Sequence, residues 1–172
     1  MDYKAVQQRT EIKSAKPDKR AGRPLERHRV RKELEALYVK QAEAYKAKDI
    51  KAFMENKTPD FSLKLLSGQT LSREQMESGV KQRMDRIKSV NYLVIKIEEL
   101  TVTGKEAVAI TTQEFSRTVT DQEGSDHAVV TRGTKHRDMW VKTSEGWKMK
   151  SVEELIQGQQ TVGGKPSNAG KE

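Results

Sequence analysis

The segment His136-Arg137-Asp138-Met139-Trp140 sets an imidazole, a carboxylate and an indole at alternate positions. In a β-strand alternate residues share a face, so His136, Asp138 and Trp140 would point one way and Lys135, Arg137, Met139 and Val141 the other. A carboxylate held among apolar side chains such as Trp140, Met149 and Phe61 loses hydration, and its pKa rises toward neutrality. That is the state that suits proton transfer near pH 7. His136 can orient such a group or share its proton. The competing arrangement is a cross-strand ion pair between Asp138 and an arginine such as Arg117 or Arg132.

Further polar residues fall into either-or pairs. In an unbroken strand Trp147, Met149, Ser151 and Glu153 share a face, which would make Glu153 a second interior carboxylate. A bulge would exchange it for Glu154, and a frayed strand end would leave both in solvent. Gln113 and Glu114 pose the same question on an earlier strand. Tyr38 and Tyr45 lie on an apolar helical stripe, where each hydroxyl either reaches into a pocket or stays in the core or at its rim. The candidate set is therefore Asp138 and His136 for proton transfer. Tyr45, Phe61, Gln113, Trp140 and Glu153 would contact a ligand.

Other chemistries find no footing. His28, His127 and His136 are the only histidines, none in a short metal-ligand spacing, and there is no cysteine. No phosphate-binding glycine loop, dinucleotide fingerprint or nucleophile elbow occurs. The expectation is a protein without metal or cofactor.

The elements that must position these residues follow from periodicity. Val30, Leu34, Leu37, Tyr38 and Tyr45 recur at spacings of three and four, as on one face of a helix. Asp49 can cap a short helix over 50–55, Thr58-Pro59-Asp60 breaks it, and Phe61, Leu63 and Leu65 form a short strand. Ser72-Arg73-Glu74-Gln75 has capping-box spacing and opens a helix with Met76, Val80, Met84 and Ile87 on one side. From Asn91 the period changes to two. Strands are expected over 92–102, 107–119, 127–142 and 147–157, with Thr103-Gly104-Lys105 as a turn. Helices ahead of a strand meander indicate an α+β fold, with helices packed on one face of a mostly antiparallel sheet.

The net charge of +8 in 172 residues is unevenly placed. Residues 1–32 carry 11 Lys and Arg against 4 Asp and Glu, whereas the remaining 140 are nearly balanced at 22 against 21. The basic character belongs to the N-terminal arm, which argues against a folded nucleic-acid-binding surface. Residues 1–29 read as a disordered arm, 30–157 as the domain, and 158–172 as a disordered Gly- and Lys-containing tail. No apolar run is long enough for a membrane span or a secretory signal. The expected location is cytoplasmic, or secreted or periplasmic if a leader precedes the sequence.

The order helix, short helix, short strand, helix and four long strands resembles the nuclear transport factor 2-like (cystatin-like α+β) superfamily. Ala44-Tyr45-Lys46-Ala47-Lys48-Asp49-Ile50-Lys51-Ala52-Phe53 is similar to its exit from the first helix. Asp138-Met139-Trp140-Val141-Lys142 with Gly146-Trp147-Lys148-Met149 is similar to its closing hairpin. The nearest branches are the SnoaL-like group and the calcium/calmodulin-dependent kinase association-domain-like group. The resemblance covers about 31–157. It implies a cone-shaped domain, with a strongly curved sheet wrapped around the helices, a pocket inside and pairing of two chains through the outer sheet face. It also implies that the residue two before the strand tryptophan, here Asp138, faces the pocket. Function stays open between a module that binds a small, partly apolar organic molecule or pairs as a homodimer, and a cofactor-free isomerase, dehydratase or cyclase with Asp138 as base.

Overall fold

A computed structural model describes residues 22–167. The expectations for the basic arm before Gly22 and for the last five residues lie outside the described residues. Helix α1 (Gly22–Lys46) is followed by α2 (Ile50–Glu55), β1 (Lys57–Lys64), β2 (Thr70–Ser72) and α3 (Arg73–Arg86). Four long strands come next: β3 (Ser89–Thr103), β4 (Glu106–Thr120), β5 (Asp126–Thr143) and β6 (Gly146–Ile156). A short hairpin, β7 (Gln159–Val162) and β8 (Lys165–Pro166), closes the described chain. This is an α+β fold.

The sheet runs β2-β1-β6-β5-β4-β3, with every neighbouring pair antiparallel except the parallel pair β1 and β6. Pro59 sits inside β1, in a stretch where the register with β6 shifts between Lys57 and Ser62. A proline has no amide to donate, and an irregular stretch of that kind accommodates it. Asp49 caps α2 by accepting from the Ala52 amide, and Ser72 and Gln75 form the full capping box at α3.

Two boundaries differ from the sequence reading. Helix α1 starts at Gly22 rather than near Val30. Its first two turns bury nothing, and Leu25 is 73% exposed, so no apolar period marks them. Pro24 is tolerated there because first-turn amides have no intrahelical partner. At the other end, 159–166 is not a structureless tail: β7 pairs with Val129–Arg132 of β5, and β8 with β7.

Strand pairing builds inner rows that face α1. The row Val102, Ala107, Trp140, Met149 is followed by Leu100, Ala109, Asp138, Val152, then Ile97, Thr111, His136, Glu154. Ala107, Ala109 and Thr111 are small and fully buried, which lets Leu34 and Tyr38 of α1 approach the sheet closely. Beyond them the rows continue as Ile95, Gln113, Thr134 and then Leu93, Phe115, Thr131.

Candidate functional site

The interior has two apolar clusters. The first joins Val30, Leu34 and Tyr38 of α1 to Phe61, Trp140, Trp147, Met149 and Val152. The second joins Tyr45 to Phe53, Met54, Val80, Met84, Ile87 and Val90. Between them, Met76 of α3 packs against both, flanked by Leu63, Leu93, Ile95 and Phe115, all only partly buried.

Asp138 sits in the floor of the first cluster, 1% exposed. Its Oδ2 accepts from the Tyr38 hydroxyl at 2.6 Å and from the Thr111 hydroxyl at 3.3 Å. The Trp140 indole N–H donates to the Tyr38 oxygen at 3.0 Å, and the two rings meet edge to face at 5.3 Å. The other carboxylate oxygen, Oδ1, is buried without a hydrogen-bond partner among the described residues. Burial pushes the carboxyl pKa up to about 6, against the hydrogen bonds from Tyr38 and Thr111 and the attraction of Lys57. Arg132 instead pairs with Glu114 at 3.0 Å, and Arg117 donates to Thr131 at 3.2 Å, so the cross-strand ion pair with Asp138 does not form.

Lys57 is the cation that offsets this charge. Its ammonium donates to the Phe53 carbonyl at 2.8 Å and to the Gln41 and Asn56 side-chain oxygens at 3.2 Å each, and it lies 4.0 Å from the Phe53 ring centre. Burial brings its pKa down to about 7; attraction to Asp138 opposes the fall, and repulsion from Arg73 adds to it.

His136 lies one row toward the second cluster, on the same face as Asp138. The Gln113 amide nitrogen is 2.9 Å from Nδ1. An amide nitrogen only donates, so with this amide orientation Nδ1 accepts and the neutral ring carries its proton on Nε2. Burial lowers the pKa of His136, and the charge of Glu154 opposes that shift.

The parity reading of β5 therefore matches the structure, whereas that of β6 does not. The β5–β6 register slips by one residue between Met139 and Trp140, leaving Lys150 unpaired. Past that bulge Val152 and Glu154 turn inward, while Glu153 turns outward to bond Arg137 at 2.6 Å and Lys64 at 3.1 Å. Glu153 is thus not an interior carboxylate, and Glu154 takes the position beside His136. Gln113 faces inward and Glu114 outward, where Tyr92 and Arg132 bind it. Phe61 and Trp140 join Asp138 in one cluster, but Tyr45 does not. It lies two helical turns from Tyr38, between Phe53 and Phe115, with its hydroxyl buried and unpartnered among the described residues.

Tyr38, Thr111 and Lys57 complete the site beyond the sequence candidates. Tyr38 stood on the helical stripe and needed only a partner. Thr111 required the β4–β5 register, and nothing in the local sequence marks Lys57 as buried. Two surface clefts, of about 600 Å³ between α1 and β3 and about 300 Å³ between α1, α2 and the β5–β6 turn, are lined by neither Asp138 nor His136. No described helix is long and apolar enough to cross a membrane.

A helix-covered, mostly antiparallel sheet with a polar cluster on its inner face defines the nuclear transport factor 2-like class. Within it the chain belongs to the SnoaL-like domain family, whose profile matches residues 34–153. Among solved structures, it is similar to a conserved protein from Planctomyces limnophilus DSM 3776 (14% identity, TM-score 0.64, covering 77% of this chain and 99% of that one). It is also similar to a nuclear transport factor 2-like superfamily protein from Salmonella enterica serovar Typhimurium (16%, TM-score 0.57, 83% and 95%). A third is a type 2 hexachlorocyclohexane dehydrochlorinase (12%, TM-score 0.60, 86% and 99%). At these identities the likeness is one of fold. No curated protein matches the sequence.

Proposed function

We propose that the protein binds a small, partly apolar organic molecule on the inner face of its sheet, between the two apolar clusters. The observation that carries this reading is the set of inward-facing side chains left incompletely buried there. Leu63, Met76, Leu93, Ile95 and Phe115 offer apolar surface, and Gln113 and His136 offer hydrogen bonds. A well-packed interior leaves few such gaps, and ligand sites are concave, mostly apolar and furnished with a few polar groups. Asp138 and Trp140 form the floor of this site, with Phe61 beside them; Tyr45 borders its far end and Glu153 has no part in it.

The test is a thermal-shift screen of small carbonyl, phenolic and carboxylic compounds against the full chain. A ligand selective for the native state raises its melting temperature. If no compound raises it, the reading fails.

A second reading has its own support, the unpartnered Oδ1 of Asp138. A carboxylate with a free oxygen and a pKa near 6 can take a proton from a bound substrate, as in isomerisation, dehydration or cyclisation without a cofactor. His136, through Nε2–H, would polarise the acceptor. Turnover of a screened ligand, abolished in Asp138→Asn with binding retained, distinguishes this from binding alone.

Pairing of two chains through the outer sheet face is part of the same proposal. Val94 is 55% exposed there, and Val108, Ile110, Met139 and Val141 point outward from β4 and β5. Sedimentation equilibrium giving a monomer at micromolar concentration would exclude it.

A further inference from the structure

The inner face of β4 continues past Gln113 and Phe115 to Arg117, at the end of the interior opposite Trp140. The Arg117 guanidinium stacks over the Phe115 ring at 4.9 Å, and its hydrogen bond is from Nη1 to the Thr131 hydroxyl. No carboxylate pairs with it among the described residues, although each guanidinium has five donors. Arg83 of α3 is also without a carboxylate partner. It precedes Met84, which packs with Val90, and Val90 is the register partner of Arg117. The two positive charges repel strongly enough to contribute to lowering the Arg117 pKa, after burial as the main cause.

Tyr45 sets its ring edge-on to Phe115 at 5.4 Å, and its hydroxyl is buried without a partner among the described residues. A half-buried guanidinium, a second uncompensated one and an unsatisfied buried hydroxyl are all groups that an oxyanion would satisfy. Charge-assisted bonds from arginine to carboxylate are the strong, geometrically specific case.

We infer that the ligand of this site carries a carboxylate, held by Arg117 with Arg83 and the Tyr45 hydroxyl, while its apolar body lies along Phe115, Leu93 and Met76 toward His136. The inference rests on the ligand-binding reading above and specifies the ligand's class: an amphipathic organic acid. The span fits such a molecule, because four residues of strand from Arg117 to Gln113 cover about 13 Å. A cation or a neutral hydrocarbon would leave the arginine pair uncompensated.

The experiment is calorimetric titration of the full chain with decanoate and with decanol, which shares the apolar body but lacks the charge. Decanoate is expected to bind more tightly than decanol. Arg117→Gln should weaken decanoate about ten- to a hundredfold with decanol unchanged, as expected for loss of a hydrogen bond to a charged group. Arg83→Gln, at an exposed position, should weaken decanoate less, and Arg117→Lys should restore part of the loss while controlling for misfolding. Equal affinity for the two probes, or decanoate binding indifferent to both arginines, overturns the inference and leaves the ligand-binding reading standing. Failure of both probes to bind at millimolar concentration overturns the inference, and the thermal-shift screen then decides the broader reading separately.

Discussion

The Tyr38 hydroxyl donates to Asp138 Oδ2 at 2.6 Å, tying the middle of the first helix to the centre of the third long strand across 100 residues of sequence. The same oxygen accepts from the Trp140 indole, so one phenol satisfies a buried acid and a buried donor together. Such a group is costly to remove, because each partner is left desolvated without a replacement.

Tyr38→Phe is therefore expected to destabilise the fold by about 1.5–3 kcal/mol, the range for a lost hydrogen bond to a charged group. It should also raise the Asp138 pKa further, since the Tyr38 hydrogen bond is the first of the influences that hold it down. Urea unfolding of wild type and variant at pH 5 and pH 8 measures both: the loss should be larger at pH 8.

Asp138 gives the acid side of the stability profile a definite sign. Its folded pKa of about 6 lies above the ordinary value of 3.8, so the native state binds the proton more tightly than the unfolded chain. Its contribution is fully present below pH 3.8 and is lost as pH rises through 6. That difference corresponds to about 3 kcal/mol. Asp138→Asn should flatten this slope between pH 4 and 6 in denaturant titrations. A variant with the wild-type slope would show that another group carries it.

Lys57 acts on the alkaline side with the opposite sign. Its folded pKa of about 7 lies below the ordinary value of 10.5, so between those values the unfolded chain holds more protons and stability rises with pH. Lys57→Met should remove that rise. Chemical denaturation at pH 7, 8.5 and 10 is the check.

The two adjacent glutamates separate the faces of β6. Glu154→Gln should lower the His136 pKa, because the Glu154 charge is what opposes the effect of burial. Glu153→Gln should leave it where it is, since Glu153 bonds Arg137 and Lys64 on the outer face. NMR titration of the imidazole nitrogens distinguishes the two. Equal effects would place the bulge elsewhere.

Much of this architecture is legible in the sequence, for identifiable reasons. The capping box at Ser72, the period-two strands and the shared face of His136, Asp138 and Trp140 are local patterns, and local geometry produces them. The exchange of Glu153 for Glu154 is not local. It follows from one unpaired residue, Lys150, which no turn-forming residue type announces. Helix α1 before Val30 lacks a buried face, so the apolar period that marks its later turns is missing. Lys57 is buried by α1, α2 and β1 converging on it, a contact visible only in three dimensions. Arg117 carries the inner-face parity of Gln113, but the lack of a counter-ion among the described residues appears only once their carboxylates have been placed.

One strand holds two parts of the wall together. At Gly133 the β4–β5 register slips, with φ of 78°. Before it β5 pairs with β7, and after it with β6. Gly158 passes this joint so closely that a Cβ would lie 2.8 Å from the Arg132 carbonyl and would also meet the Thr134 hydroxyl. The covalent chain is continuous there while its lateral bonding changes hands. The change of lateral partner falls next to Thr134 and one row from His136. The β7–β8 hairpin and β6 are thus held to one strand by separate sets of backbone hydrogen bonds, one on each side of a residue without a side chain.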